Sequence, residues 1–119
     1  MAVLDLPTDD EFTPKWNEEQ GITEEPVVFV LRPLTYPERE RYMPMKFSDG
    51  GASFDVDKVG LFKAGVTKVV DLVVFRGGER RDLTKAIQVL ETPALINLVD
   101  EVVGEIMSRN AKDEVALKN

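Results

Sequence analysis

The feature that most constrains this chain is a short apolar run, VVFVL at 27–31, enclosed by Pro26 and Pro33. Its β-branched and aromatic residues predict a strand, and the two prolines limit that strand to about six residues. Successive side chains of a strand point to opposite faces, so both faces of this one need a cover. A single strand also leaves its backbone groups unpaired, and the run must therefore pair with a second strand.

The sequence offers three sources for that second strand. Residues 2–6 read AVLDL, and residues 46–54 read KFSDGGASF, in which Asp49-Gly50-Gly51 has the chemistry of a tight turn between short strands. A strand from another chain would serve equally well. The pattern does not select among the three.

Four helices are predicted after the strand. Thr35 and Glu38 form a capping box, which begins a helix over 36–43 that ends before Pro44. The apolar spacing of the rest of the chain predicts further helices over 54–75, 83–91 and 93–109.

The helix predicted over 54–75 has glycines inside it and a glycine pair, Gly77-Gly78, as its end signal. Gly60 and Gly65 each cost about 1 kcal/mol relative to alanine, which predicts close packing against a neighbour. The segment VVDLVVF at 69–75 also fits a strand. The apolar stripe of this helix is predicted to contain Val59, Phe62, Val66, Val69 and Val73.

The last two helices are separated by Thr92 and Pro93, which predict an N-cap and a first helical position. The apolar face of the helix over 83–91 is predicted to consist of Leu83, Ala86, Ile87 and Leu90. The apolar stripe of the helix over 93–109 is predicted to consist of Leu95, Leu98, Val99, Val102 and Ile106.

Together these elements predict a mainly α protein with a small β element, an α+β fold in which one short N-terminal strand or hairpin packs on three to four amphipathic helices. The chain has 119 residues, the length of one domain, and a single globular domain is predicted over 26–110. Residues 1–25 are acidic and predict an arm that is either flexible or packed on the domain. Residues 111–119 predict a polar tail.

The composition excludes several classes of chemistry. The chain has no cysteine, so disulfides, thiolate ligands and cysteine nucleophiles are excluded. It has no histidine, so it lacks the usual general base and the commonest metal ligand. We therefore predict a noncatalytic protein with no catalytic residue, no metal site and no cofactor.

Charge and hydropathy limit the partners. The 22 Asp and Glu residues outnumber the 15 Lys and Arg residues and give a formal charge of -7, which repels phosphate backbones. No apolar run approaches the roughly 18 to 20 residues that span a bilayer, and the N-terminal residues lack the pattern of a signal peptide. We expect a soluble protein with neither a nucleic-acid nor a membrane partner.

Two segments resemble ligand-binding loops but fit simpler structures. Alternating acids over 49–57 suggest a calcium loop, yet its sixth and twelfth positions are Phe54 and Gly60, so a turn followed by a helix cap is favoured. The segment RGGERR at 76–81 lacks the glycine spacing of a phosphate-binding loop, so a loop that ends a helix is favoured there.

Five features of the chain occur together: the segment LRPLT at 31–35, the glutamate soon after it, a hydrophobic helix that ends near a small turn, a final amphipathic helix and the closing LKN. In this combination the chain resembles the tail assembly chaperones of long-tailed bacteriophages. The resemblance covers about 26–119, while the acidic arm and FSDGGASFD have no counterpart. It implies a small, mostly helical protein in the cytoplasm of an infected or lysogenic bacterium. Such a protein binds the tape measure protein, keeps it soluble during tail tube assembly, and in a longer form recruits the tail tube protein.

A chaperone of this kind needs exposed apolar surface for its client. The predicted partner-binding residues are Phe12 and Trp16 of the arm, Val28 and Val30 of the strand, and Val102, Val103 and Ile106 of the last helix. Self-association would use the same surface. The alternatives are a structural virion component, such as a head-tail connector or a tail-tube-associated subunit, and a small regulatory binding domain.

Overall fold

The computed structural model describes residues 1–6, 8–111 and 116–117, so most of the predicted polar tail over 111–119 and the closing KN lie outside the described residues. The strands are β1 Leu4–Asp5, β2 Asp10–Phe12, β3 Val28–Leu31, β4 Met45–Ser48, β5 Gly51–Phe54, β6 Val66–Val70, β7 Leu72–Arg76, β8 Glu79–Leu83 and β9 Ala116–Leu117. The α-helices are α1 Trp16–Glu19, α2 Tyr36–Tyr42, α3 Lys58–Gly65, α4 Ala86–Leu90 and α5 Ile96–Ala111, with a 3-10 turn at Pro93–Leu95 before α5.

The described residues form an α+β fold built from several helices and several short strands. A three-stranded antiparallel sheet has the order β2-β3-β6, and two separate hairpins are formed by β4-β5 and by β7-β8. A short antiparallel pair joins β1 to β9. The prediction of a mainly α protein with one short strand or hairpin was therefore wrong.

Strand β3 is the central strand of the sheet, as its apolar sequence requires. It is hydrogen-bonded to β2 on one edge and to β6 on the other, so neither 2–6 nor 46–54 is its partner. Residues 46–54 contribute instead to the β4-β5 hairpin, whose turn lies where the sequence predicted it. Both edges of β3 are therefore occupied within the chain.

The core lies between this sheet and helices α3 and α5. Phe29 on β3 and Phe62 on α3 are fully buried and pack edge to face, with ring centroids 6.0 Å apart. On β3 the inward side chains are buried, whereas Val28 and Val30 on the outer face are half-buried. The alternation predicted for this strand is confirmed.

The helix predicted over 54–75 was correct only in its first part. Helix α3 begins after Asp57, whose carboxylate accepts a hydrogen bond from the Gly60 amide (3.0 Å), and ends at Gly65. Residues 66–76 continue as β6 and β7. The β-branched run in this segment fits both periodicities, and the open edge of β3 selects the strand.

The glycine pair that was expected to end this helix forms the turn of the β7-β8 hairpin. Gly77 and Gly78 have φ values of +58° and +81°, as in a type I′ turn. The prediction of a helix-ending loop over 76–81 was therefore wrong. Leu83 belongs to β8 rather than to the next helix, and the fully buried residue of α4 is Val89.

The capped helix and the last helix agree with the sequence. Thr35 and Glu38 form the predicted capping box at the start of α2. Helix α5 buries Leu98, Val102 and Ile106 of the predicted stripe and also Val103.

Polar side chains on one face of α5 hydrogen-bond to the backbone of the N-terminal arm (residues 1–25). The Glu101 carboxylate accepts hydrogen bonds from the amides of Lys15 (2.6 Å) and Trp16 (2.9 Å). Two turns later, Arg109 donates to the Glu11 carbonyl (3.3 Å). Because residues four apart share a helix face, these groups form one row along α5. Residues 10–19 of the arm are thus part of the packed domain.

We predict that Gly65→Ala lowers the free energy of unfolding by about 1 to 3 kcal/mol. A Cβ at Gly65 would lie 2.7 Å from Cδ1 of Ile106, so the buried Ile106 side chain or the two helices would have to shift. The matched control is Gly104→Ala on α5, where a Cβ would meet nothing within 4 Å. This change should raise stability by up to about 1 kcal/mol. Urea denaturation measures both, and equal effects would contradict the close approach of the two helices.

We also predict that Asn17→Ala lowers the free energy of unfolding by about 2 to 3 kcal/mol. The buried Asn17 side chain accepts from the Val27 amide (2.8 Å) and donates to the carbonyls of Val27 (2.9 Å) and Pro14 (3.0 Å). Alanine would leave these buried groups without partners. Asn97→Ala, at an exposed position, should change stability by less than about 0.5 kcal/mol in the same urea titration.

Candidate functional site

The segment LRPLT forms a hydrogen-bonded unit with the start of α2. Arg32 makes a two-point contact with the Glu38 carboxylate, one nitrogen lying 2.9 Å from Oε1. The same carboxylate accepts from the Thr35 amide (2.9 Å), and the Leu34 amide donates to the Asn110 side chain (2.9 Å). These contacts account for the polar residues of the segment as structural groups that join β3, α2 and α5.

The electrostatics of this unit centre on Glu38. The hydrogen bond from Arg32, followed by that from the Thr35 amide, lowers the pKa of the Glu38 carboxyl from its usual 4.5 to about 2. The same contact raises the pKa of Arg32. Both groups are therefore charged throughout the neutral range.

A second candidate is the β7 groove, a cavity of about 1080 Å³ between the β7-β8 hairpin, α4, the 3-10 turn and Trp16. Its lining includes three buried leucines, which are Leu72, Leu83 and Leu95. Val73 (37% exposed) and Phe75 (69% exposed) also line it. The groove is therefore an open apolar surface rather than a closed pocket.

The charged residues that line the β7 groove are two arginines, Arg76 and Arg81, and two acids, Asp82 and Glu91. Arg81 lies 3.8 Å from the Glu79 carboxylate, and Arg80, outside the lining, pairs with Asp82 at 3.2 Å. Arg76 is exposed and lines the groove, and its side chain forms no ion pair or hydrogen bond with any residue of the described part of the chain. The lining therefore has no net formal charge, and Arg76 is its one arginine without an ion pair among the described residues.

The β4-β5 hairpin is another exposed apolar surface. Phe47 is 81% exposed, and Met45, two residues before it, lies on the same face of the strand. Their cross-strand neighbours are Ala52 and Phe54. The radius of gyration is 16.4 Å, compared with about 13 to 14 Å for a compact domain of this length, so the chain is elongated.

The structure separates the sequence-predicted partner-binding residues into three groups. Val102, Val103 and Ile106 are core residues and offer no surface to a partner in this conformation. Phe12 and the outer-face residues Val28 and Val30 are half-buried, and Phe12 lies beneath the Arg109 guanidinium (5.8 Å to the ring centroid). Trp16 alone among the seven lines the β7 groove.

The residues that sequence reasoning missed are those of the β7-β8 hairpin, above all Val73, Phe75 and Arg76. The signal that could have found them is the Gly77-Gly78 pair, which lies between two segments of strand-forming residues and is a hairpin signal. Because the same pair also fits the end of a helix, the sequence pattern did not predict the hairpin or the groove beside it.

The acids over 49–57 contribute a hairpin turn and the N-cap of α3, as the sequence favoured. The described residues contain no group of three or more carboxylates placed to hold a metal ion. Nor do they include a helix with the length and apolar character that crossing a bilayer requires.

Comparisons with known protein families, with curated proteins and with solved structures gave no match for this chain.

We predict that Glu38→Gln lowers stability above pH 4.5 and that its effect decreases as the pH falls toward 2. A carboxyl whose pKa is lower in the folded than in the unfolded state stabilises the fold above its unfolded pKa. That contribution is lost as the pH falls through the folded value of about 2. Urea midpoints of both proteins between pH 2 and 7 measure the difference. Glu40→Gln, at an exposed position of the same helix, is the control, and a pH-independent deficit for Glu38→Gln would contradict the assignment.

Proposed function

We propose that this protein is a noncatalytic tail assembly chaperone of a long-tailed bacteriophage. In this role it binds the tape measure protein in the host cytoplasm and keeps it soluble while the tail tube assembles. The observation that carries the proposal is the β7 groove, in which Phe75 and Val73 are exposed beside three buried leucines. The sequence resemblance around LRPLT supplies the identity of the client.

The properties of the groove suit a chaperone. Exposed apolar surface of this kind binds apolar segments of another polypeptide and so withholds them from aggregation. The net charge of -7 on this chain favours the solubility of a complex that contains it. The LRPLT segment contributes to this role indirectly, since its polar groups hold β3 and α2 on α5.

A structural virion component is the second candidate, and the β4-β5 hairpin favours it. A two-stranded hairpin with an exposed apolar face is marginally stable without a cover. Phe47 at 81% exposure and the elongated shape are what a subunit would show before permanent assembly. A chaperone is absent from the finished particle, whereas a structural subunit remains in it. Mass spectrometry of purified virions from the phage that encodes this chain distinguishes the two.

We predict that coexpression with the tape measure protein of the same phage moves that protein into the soluble fraction. Phe75→Asp should abolish this effect because it places a charge in the β7 groove. The matched control is Phe47→Asp, which changes another exposed phenylalanine outside the groove and should retain the effect. Loss of the effect only in Phe47→Asp would contradict the groove as the client site. Failure of the unaltered protein to solubilise the client would contradict the proposed function.

A further inference from the structure

The turn of the β7-β8 hairpin fixes which backbone groups of β7 face outward. Arg76 and Glu79 flank the two-residue Gly77-Gly78 turn, and such flanking residues form a hydrogen-bonded pair. Hydrogen-bonded and non-hydrogen-bonded pairs alternate along an antiparallel ladder. The amides and carbonyls of Val73 and Phe75 therefore point away from β8.

These outward groups lie on an edge that no other strand occupies in the described residues. The Val69 amide donates to the Thr84 carbonyl (3.0 Å), so the chain after β8 lies on the edge of β6 opposite to β3. Strand β7 follows β6 after the single residue Asp71, whose φ is +61°. Its second edge is thus on the side of β3, whose pairing with β6 ends at the Val28–Val70 pair.

The chain ahead of β3 does not pair with β7. Both backbone groups of Val27 are already bonded to the Asn17 side chain, and Pro26 has no amide hydrogen. An edge strand in this condition presents donors and acceptors that a strand from another chain can use.

The β7 groove lies along the hairpin that carries this open edge. Successive residues of a strand point to opposite faces, yet all five residues of β7 line the groove. Three consecutive residues of β8, Arg81, Asp82 and Leu83, line it as well, so the groove lies along both strands of the hairpin and includes the backbone of β7. Five residues span about 17 Å, which is the length of a short extended peptide.

Arg76, at the hairpin end of the groove, favours a negatively charged group in a bound segment. Its side chain is exposed and forms neither an ion pair nor a hydrogen bond with any residue the structure describes. A carboxylate of a bound segment at this end would form a charge-assisted pair with it.

From these observations we infer that the β7 groove binds an extended segment of its partner as an added strand on β7. The segment hydrogen-bonds to the backbone of Val73 and Phe75, places alternate apolar side chains in the groove and sets a carboxylate against Arg76. This inference rests on the proposed function, since it names the kind of client segment that the groove takes. A bound helix would satisfy its own backbone and leave the outward amides of β7 desolvated without partners.

The inference is tested with labelled peptides whose binding is measured by fluorescence anisotropy. The extended probe alternates valine and threonine over about seven residues, with a glutamate at each end. A helical probe carries the same glutamates and valines in an alanine-rich background. The extended probe should bind and the helical probe should not. Methylation of its amides along one edge should abolish binding, whereas methylation along the other edge should not.

Matched variants of the protein examine the same contacts. Val73→Pro removes an outward amide without breaking the β7-β8 ladder and should weaken binding by about tenfold or more. Arg80→Pro makes the equivalent change on β8, outside the groove, and should bind normally. Arg76→Glu should lose binding of the glutamate probe and regain it for a probe with lysines at both ends.

Four outcomes would overturn the inference: no binding of the extended probe, tighter binding of the helical probe, equal effects of methylation on both edges, or equal affinities of the Val73→Pro and Arg80→Pro proteins. The client assay separates this inference from the proposed function. If Phe75→Asp loses client solubilisation and Val73→Pro retains it, strand addition fails and the chaperone function stands. If the extended probe binds as described and no client is solubilised, the proposed function fails and the strand site stands.

Discussion

The rest of the structure depends on the hydrogen bonding of β3 on both of its edges. This apolar strand pairs with β2 from the N-terminal arm on one side and with β6 from the middle of the chain on the other. Its inner face is closed by α3 and α5, with Phe29 packed against Phe62. Because β2 and β6 come from distant segments of the chain, their hydrogen bonds to β3 bring most of the domain together.

Helix α5 serves as the support for this sheet and as the anchor of the arm. One of its faces is a core stripe, and another carries Glu101 and Arg109, which bind the backbone of the arm. The Glu101 carboxylate fixes the amide of Trp16, the residue that closes one side of the β7 groove. The acidic arm therefore shapes the candidate binding surface through its contacts with α5.

The contacts that satisfy the backbone around β3 leave one edge of β7 without a partner strand among the described residues. Asn17 holds both backbone groups of Val27, which ends the pairing of this segment at β3 and leaves the edge of β7 open. Next to that edge, Phe75 stays exposed and the Arg76 side chain forms no ion pair with a described residue. An open edge, an apolar wall and this arginine in one place are the physical basis for proposing that a polypeptide binds here.

Local interactions made several elements readable from the sequence alone. The apolar strand at β3, the Thr35–Glu38 capping box of α2, the turn of the β4-β5 hairpin and the buried stripe of α5 all depend on residues within a few positions of one another. Neighbouring side chains, cap hydrogen bonds and turn residues determine such features, so the pattern of the sequence is sufficient for them.

Only the tertiary structure decided which strands pair and which apolar residues remain exposed. The β-branched run after Gly65 fits a helix or a strand, and the open edge of β3 selected the strand. Val102 and Phe75 are both apolar, yet Val102 is in the core and Phe75 lines the groove. Strand pairing and burial join residues far apart in the chain, so their outcome depends on long-range contacts that a local pattern does not contain.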